Sequence, residues 1–148
     1  MKALKIDTVT KSEYPELLNV WEASVRATHH FLKEKDIDYF KPLILSTYFD
    51  AVELRCMRNE DQAIVAFLGV ADGNLEMLFV DPAYRGQNIG RTLLDYSMLH
   101  LSVSKVDVNE QNEQAVGFYE HCGFEVKARS ELDGTGKPYP LLHMELKK

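Results

Sequence analysis

One stretch of the sequence, in which a strand, a glycine-bearing loop and a helix start follow one another, restricts the fold more than any other. The apolar run over residues 77–80 predicts a buried strand, and the Asp-Pro pair after it ends that strand because proline has no N–H group to donate. A loop with Gly86, Asn88 and Gly90 then enters a helical pattern. Unpaired N–H groups and the dipole at a helix start attract anions. The stretch therefore predicts either an anion site or a plain tight turn.

Two common phosphate-binding motifs are excluded at this loop. No Gly-Lys-Ser/Thr follows it, so it is not a nucleoside-triphosphate loop. The glycine spacing of dinucleotide sites is also absent. An anion bound here has to be held by another arrangement.

The loop resembles a motif of the GCN5-related N-acetyltransferases, the GNAT family, in which Q/R-x-x-G-x-G/A holds the pyrophosphate of coenzyme A. The matching residues are Arg85-Gly86-Gln87-Asn88-Ile89-Gly90. Arg85 matches the first position and Gly90 the last, whereas Asn88 stands where the family has glycine. Asparagine is one of the few other residues that enter the left-handed backbone region readily, so Asn88 is expected to keep the loop geometry.

A second family signature is similar to a segment further along the chain, Asn112-x-x-Ala115-x-x-Phe118-Tyr119-x-x-x-Gly123-Phe124. The resemblance covers roughly residue 62 to the C-terminus. Three further segments look like the small bacterial YjaB-type members of the family: Trp21-x-x-Ser24, Ala27-Thr28-His29 and Lys137-Pro138-Tyr139-Pro140-Leu141-Leu142. Two motifs in the right order and at the right separation are much more specific than either alone.

The resemblance implies an α/β fold with a mixed, mostly antiparallel central sheet flanked by helices on both faces. It implies a single N-acetyltransferase domain over residues 1–148 with acetyl-CoA as cofactor. The implied reaction moves the acetyl group to a primary amine by direct attack in a ternary complex. A non-catalytic acyl-CoA-binding sensor or interaction module is the alternative, and the presence of Tyr119 argues against it.

The resemblance also implies which residues contact the cofactor. Backbone N–H groups of residues 87–91 would hold the pyrophosphate, and the strand over residues 78–80 would pair with the pantetheine arm. An N–H group near Phe79 or Val80 would bind the oxygen that gains negative charge. Asn112 would contact the arm, cap its own helix, or do both. The implied cofactor-binding residues are Leu78, Phe79, Val80, Arg85, Gly86, Gln87, Asn88, Ile89, Gly90, Arg91 and Asn112.

Acid and base candidates follow from the chemistry of transfer to an amine. Tyr119 matches the family tyrosine that protonates the departing thiolate, and a phenol stays protonated at neutral pH. An ammonium acceptor has to lose a proton before it attacks, so a base helps. Glu76 and Asp107 are the candidates, because both carboxylates lie in otherwise apolar strands. An exposed strand face is an equally good explanation of each.

Two adjacent histidines follow the first predicted helix. His29 and His30 point in different directions, which makes them a poor metal pair, and no metal site is predicted. Polar loop residues are the favoured interpretation. Because the family places the acceptor near this region, a substrate contact by His29 stays the alternative.

Composition restricts the partners. The 148 residues are 45% hydrophobic and 27% charged, which is typical of one globular domain. The net charge of −6 argues against nucleic-acid binding and suits a cationic acceptor, either a small molecule or a protein. No apolar run approaches the ~20 residues that span a membrane. Cys56 and Cys122 lack metal or disulfide spacing, so a cytoplasmic protein with reduced thiols is expected. Both a monomer and a homodimer fit the sequence.

Hydrophobic periodicity predicts the remaining elements. Ser12 is expected to cap the first helix, and Pro42 is expected to break or kink a second helix over residues 36–49. Further helices are predicted over residues 88–101 and 112–121. Strands are predicted over residues 2–9, 52–57, 63–70, 75–80, 105–108, 124–129 and 141–146, with a mobile loop over residues 133–138.

Overall fold

A computed structural model describes residues 4–147, which form a seven-stranded sheet with helices on both faces. The strands are β1 (Lys5–Thr8), β2 (Glu53–Arg58), β3 (Ile64–Ala71), β4 (Asn74–Val80), β5 (Lys105–Asn109), β6 (Phe124–Ser130) and β7 (Leu141–Leu146). The helices are α1 (Tyr14–Thr28), α2 (Glu34–Leu43), α3 (Ile89–His100) and α4 (Glu113–His121). The predicted α/β fold is confirmed. Residues 2 and 3 of the predicted first strand lie outside the described residues.

The strand order across the sheet is β1-β2-β3-β4-β5-β7-β6. Neighbouring strands are antiparallel except β4 and β5, which run parallel. The two parallel strands pair at only two positions, Asn74 with Lys105 and Leu75 with Val106. Directly afterwards Glu76 forms a β-bulge, since Val70 of β3 pairs with Leu75 and the preceding Gly69 pairs with Met77. A bulge bends its strand, so β4 leaves β5 at this point and the sheet splits.

Two hydrophobic cores lie on opposite faces of the sheet. Helices α1 and α2 cover one face, and their core contains Leu17, Trp21, Val25, Ile37 and Phe67. Helices α3 and α4 cover the other face, and their core contains Leu93, Leu94, Val106, Tyr119 and Phe124. The alternation of side chains along β3 and β4 sends successive residues, such as Phe67 and Leu68, into different cores, which is why both faces need a helical layer.

One predicted boundary is wrong, and the predicted disturbance at Pro42 takes a specific form. Ser12 does not cap α1: the backbone N–H of Thr10 bonds the Glu13 carboxylate at 3.0 Å, a short 3-10 turn follows, and the helix begins at Tyr14. In the second helix the regular α-helical part includes Pro42 but ends at the next residue, Leu43. A π-helical turn over Ile44–Tyr48 then takes up the disturbance that the missing proline N–H causes.

The loop between β6 and β7, predicted to be mobile, is braced from within. The Asp133 carboxylate accepts hydrogen bonds from the backbone N–H and the hydroxyl of Thr135 and from the backbone N–H of Lys137, at 2.9, 2.6 and 3.0 Å. An aspartate that binds its own loop in this way replaces the strand partners that a loop lacks.

Candidate active site

A cleft of about 800 Å³ passes through the sheet where β4 and β5 part. Trp21 and His29 line it from the face covered by α1, whereas Phe118 and Tyr119 line it from the face covered by α4. Side chains from both faces of the sheet therefore border the same cleft.

The loop before α3 offers a row of free backbone donors to this cleft. Gly86 and Asn88 have left-handed backbone angles, with φ of +78° and +63°, which confirms the geometry predicted for Asn88. The N–H groups from Gly86 to Arg91 donate to no acceptor among the described residues, and the first bond of the helix runs from the N–H of Thr92 to the carbonyl of Asn88. Consecutive free N–H groups at a helix start form an anion site, so the loop is built to hold a phosphate group.

Charge and position agree with this function of the loop. Arg85 is exposed and forms no ion pair with any described residue. Arg91 donates to Asp95 at 3.0 Å and to the Cys122 sulfur at 3.4 Å. All residues predicted to bind coenzyme A line the cleft except Gln87, whose side chain is exposed.

The edge of β4 completes the surface for an extended ligand. Leu78, Phe79 and Val80 pair with β3 on one side, but on the β5 side they have no strand partner among the described residues. Such an edge accepts an extended molecule as if it were another strand. Asn112 lies across the cleft. Its side-chain amide oxygen Oδ1 accepts a hydrogen bond from the backbone N–H of Ala115 at 3.3 Å and caps α4. Both predicted interpretations of Asn112 are compatible with this position.

Tyr119 is buried and also reaches the cleft. Its ring packs against Phe118 and Phe124 at centroid distances of 5.2 and 6.0 Å, so it belongs to the core as well. Its hydroxyl bonds to none of the described residues. Every side-chain polar atom that is sealed from solvent in the described structure has a hydrogen-bond partner, so this hydroxyl is not sealed. The hydroxyl therefore faces the cleft. Burial raises the pKa of Tyr119, with a smaller contribution from Cys122, and this keeps the phenol protonated.

The two candidate bases differ in their surroundings. Glu76 is exposed at the bulge, with its carboxylate 3.5 Å from the amide nitrogen of Asn74. Asp107 is held more firmly, by the same amide nitrogen at 3.1 Å and by Nδ1 of His143 at 2.7 Å. Nε2 of His143 in turn lies 2.7 Å from the hydroxyl of Ser130. Both carboxylates line the cleft, and sequence reasoning missed the side chains that orient Asp107.

His29 is not the polar loop residue that the sequence favoured. It ends α1, is only 7% exposed and lines the cleft. Its ring packs at a tilt against Phe31 and Phe79, at centroid distances of 5.1 and 6.3 Å. Burial, and secondly the nearby His30, lower the pKa of His29 to about 4, so its imidazole is neutral at physiological pH.

A buried polar cluster that sequence reasoning missed lies beside the cleft, which its member Tyr139 lines. Asp36 accepts a hydrogen bond from the hydroxyl of Tyr139 and forms an ion pair with Lys137 at 3.1 Å. The hydrogen bond from Tyr139, followed by that from Lys137, lowers the pKa of Asp36. The cluster fastens the β6–β7 loop to the first turn of α2. The family-like segment Lys137-Pro138-Tyr139 was the sequence signal for this cluster, although nothing in that segment indicated a contact with Asp36.

Within residues 4–147, no group of three or more His, Cys, Asp or Glu side chains is arranged to hold a metal ion. None of the helices in this part of the chain is both long and apolar enough to cross a membrane.

Comparison with known proteins agrees with this geometry. The family model described as "Acetyltransferase (GNAT) domain" matches residues 37–148. The peptidyl-lysine N-acetyltransferase YjaB of Escherichia coli is 40% identical over 132 residues, which cover 89% of each chain. The solution structure of apo YjaB from E. coli superposes with a TM-score of 0.86 and 38% identity over 97% of each chain. The PaiA N-acetyltransferase of Thermoplasma acidophilum, solved with coenzyme A, shares the fold at a TM-score of 0.74 and 20% identity over 99% of each chain.

The chain belongs to the GNAT acetyltransferase family. It is an N-acetyltransferase with acetyl-CoA as the acetyl donor, and the predictions of family, fold, enzyme class and cofactor are confirmed. The alternative of a non-catalytic sensor is therefore set aside. The free N–H groups of the loop and the open edge of β4 fit the pyrophosphate and the extended arm of acetyl-CoA.

Proposed function

We propose that this enzyme acetylates the ε-amino group of lysine side chains in proteins, by direct attack of the amine while both substrates are bound. The observation that carries the proposal is the cleft through the split sheet, because it lets two substrates meet from opposite faces. Holding both reactants in one cleft converts a bimolecular step into an effectively unimolecular one.

The acceptor side of the cleft suits a lysine side chain. Trp21, Leu32 and Phe40 supply apolar surface for a methylene stem, whereas the carboxylates of Glu76 and Asp107 supply negative charge for an ammonium head. The YjaB relatives of E. coli and Salmonella typhimurium are both named peptidyl-lysine N-acetyltransferases, which favours the same acceptor here. The net charge of −6 adds attraction for basic segments of a partner protein.

The proposed roles follow from the surroundings of each group. The free N–H groups from Gly86 to Arg91 hold the pyrophosphate, and an N–H group at Phe79 or Val80 stabilises the oxygen that gains charge. Tyr119 donates its proton to the departing thiolate, since its raised pKa keeps it protonated until that step. Acetyl-CoA supplies the activated acyl group as a thioester.

We propose Asp107 rather than Glu76 as the base that removes a proton from the incoming ammonium, directly or through water. The support is its fixed orientation, which comes from His143 and Asn74. A base held in one orientation loses less entropy when it meets its substrate. We further propose that residues 1–148 act as one domain in the cytoplasm, where Cys56 and Cys122 stay free thiols.

Mass spectrometry of acetylated products tests the acceptor. Purified enzyme is given acetyl-CoA and either a peptide with one lysine and a blocked N-terminus, a lysine-free peptide with a free N-terminus, or spermidine. We expect enzyme-dependent acetylation of the lysine above the chemical background of an enzyme-free sample. Acetylation of the free N-terminus or of spermidine alone would contradict the proposal.

The same assay assigns the base. Asp107→Asn should lower the single-turnover rate by roughly 10²–10⁴, whereas Glu76→Gln should retain most of it. The reverse order of the two variants would transfer the role to Glu76.

A further inference from the structure

The hydrogen bonds around His29 define where its proton lies. The hydroxyl of Thr28 is 2.8 Å from the carbonyl of Ser24, and a carbonyl only accepts, so this hydroxyl donates its single proton there. The same oxygen lies 2.7 Å from Nδ1 of His29 and has to accept at that contact. Nδ1 therefore carries the hydrogen, and Nε2 carries a free lone pair.

Nε2 of His29 faces the open cleft. It bonds to none of the described residues, although the side chain is more than nine-tenths buried. No polar side-chain atom sealed from solvent in the described structure lacks a partner, so Nε2 is in contact with the cleft. The ring packs against Phe31 and Phe79, and Phe79 lies on the edge of β4 where the acetyl oxygen is proposed to bind.

A neutral imidazole that is protonated on Nδ1 can accept a hydrogen bond at Nε2 from an ammonium group or from a neutral amine. Because burial lowers its pKa to about 4, it adds no positive charge that would repel an approaching ammonium. A hydrogen bond to a largely buried acceptor is also stronger than one in bulk water, because the surrounding dielectric is lower.

We propose that Nε2 of His29 accepts a hydrogen bond from the attacking nitrogen of the acceptor and thereby aims the nitrogen lone pair at the thioester carbon. This role rests on the proposed function. The ammonium starts with three protons: the base removes one, one remains on the amide, and the third passes from the nitrogen to solvent water as the C–N bond forms. The C–S bond breaks, and the sulfur takes its proton from Tyr119, which recovers one from solvent. The hydrogen bond to His29 strengthens while the nitrogen becomes positive, so it favours the transition state over the ground state.

Three substitutions separate this role from simple packing. His29→Phe keeps an aromatic ring but has neither nitrogen. His29→Asn keeps an amide near the position of Nδ1 only, and His29→Gln places an amide near the position of Nε2. We expect single-turnover acetylation to fall roughly 10–100-fold in the Phe and Asn variants and to be largely retained in the Gln variant. Acetyl-CoA affinity should be unchanged, and the adjacent, exposed His30→Asn should keep the wild-type rate. Wild-type rates in both folded variants, Phe and Asn, would overturn the proposal.

A spectroscopic measurement on the unmodified enzyme provides an independent test. Nitrogen-15 NMR of His29 should show Nε2 as the unprotonated nitrogen. Its signal should move when coenzyme A and a single-lysine peptide are bound together. An Nε2-protonated ring, or a signal unaffected by every amine that the enzyme acetylates, would overturn the proposal. If lysine is not the acceptor, the same variants and spectra are measured with the amine that is acetylated, so the two failures are distinguishable.

Discussion

Acidification is expected to destabilise the fold through His29. Histidine in an unfolded chain has an ordinary pKa of 6.5, whereas burial, with a smaller effect of His30, lowers the pKa of His29 to about 4 in the folded protein. Between these values the unfolded chain binds a proton that the folded chain does not, so stability falls as the pH drops from about 6.5 to about 4. Above this window both states are neutral and His29 has no effect. At ~1.36 kcal/mol for each pKa unit, the full loss is about 3 kcal/mol.

Urea unfolding measures this effect in a range that avoids the isoelectric region near 5.3. Between about pH 7.5 and about pH 6, His29 should cost the wild-type protein about 0.8 kcal/mol of unfolding free energy. His29→Gln should lack this component, and His30→Gln should keep it. Identical pH dependence in the wild type and in His29→Gln would refute the buried, neutral state of His29.

Further predictions concern the loop, the ligand and the Asp36 cluster. Measured by calorimetry, Asn88→Gly should keep the affinity for acetyl-CoA, whereas Asn88→Val should weaken it roughly tenfold, because valine disfavours left-handed backbone angles. Equal affinities of the two variants would mean that the loop is only a turn. Acetyl-CoA at a hundredfold excess over its Kd should add about 2.7 kcal/mol of stability, whereas ATP and NAD should not shift the Tm. Asp36→Asn should lower the Tm, and by more at neutral pH than at acid pH. The reason is the lowered pKa of Asp36, which makes its stabilising contribution present at neutral pH and lost on acidification. The exposed Asp38→Asn is the control.

Local patterns explain what the sequence predicted well. The loop before α3 and the α4 segment are short, so the resemblance to the family motifs, together with residue type, indicated the left-handed Asn88, the cap at Asn112 and Tyr119 on its helix. Strand and helix bounds follow from apolar periodicity for the same reason. These features depend on neighbours within a few residues.

Contacts between distant parts of the chain explain what was missed. Phe79 and Phe31 pack against the buried His29, and neither periodicity nor residue type indicated these contacts. Asp36 meets Tyr139 across 103 positions, and Asp107 meets His143 across 36. The split of the sheet depends on a bulge at Glu76 that exists only through the register of β3 against β4. Such features need the tertiary arrangement.

Tyr119 is proposed to act as the acid for acetyl transfer in the cleft. One substitution tests this role most directly. Tyr119→Phe keeps the ring that packs against Phe118 and Phe124 and removes only the hydroxyl. With an active amine and saturating acetyl-CoA, the single-turnover rate should fall by roughly 10²–10⁴, while acetyl-CoA affinity changes little. Tyr96→Phe, which removes a hydroxyl bonded to Arg55 outside the cleft, should react at the wild-type rate. A wild-type single-turnover rate in Tyr119→Phe would contradict the account.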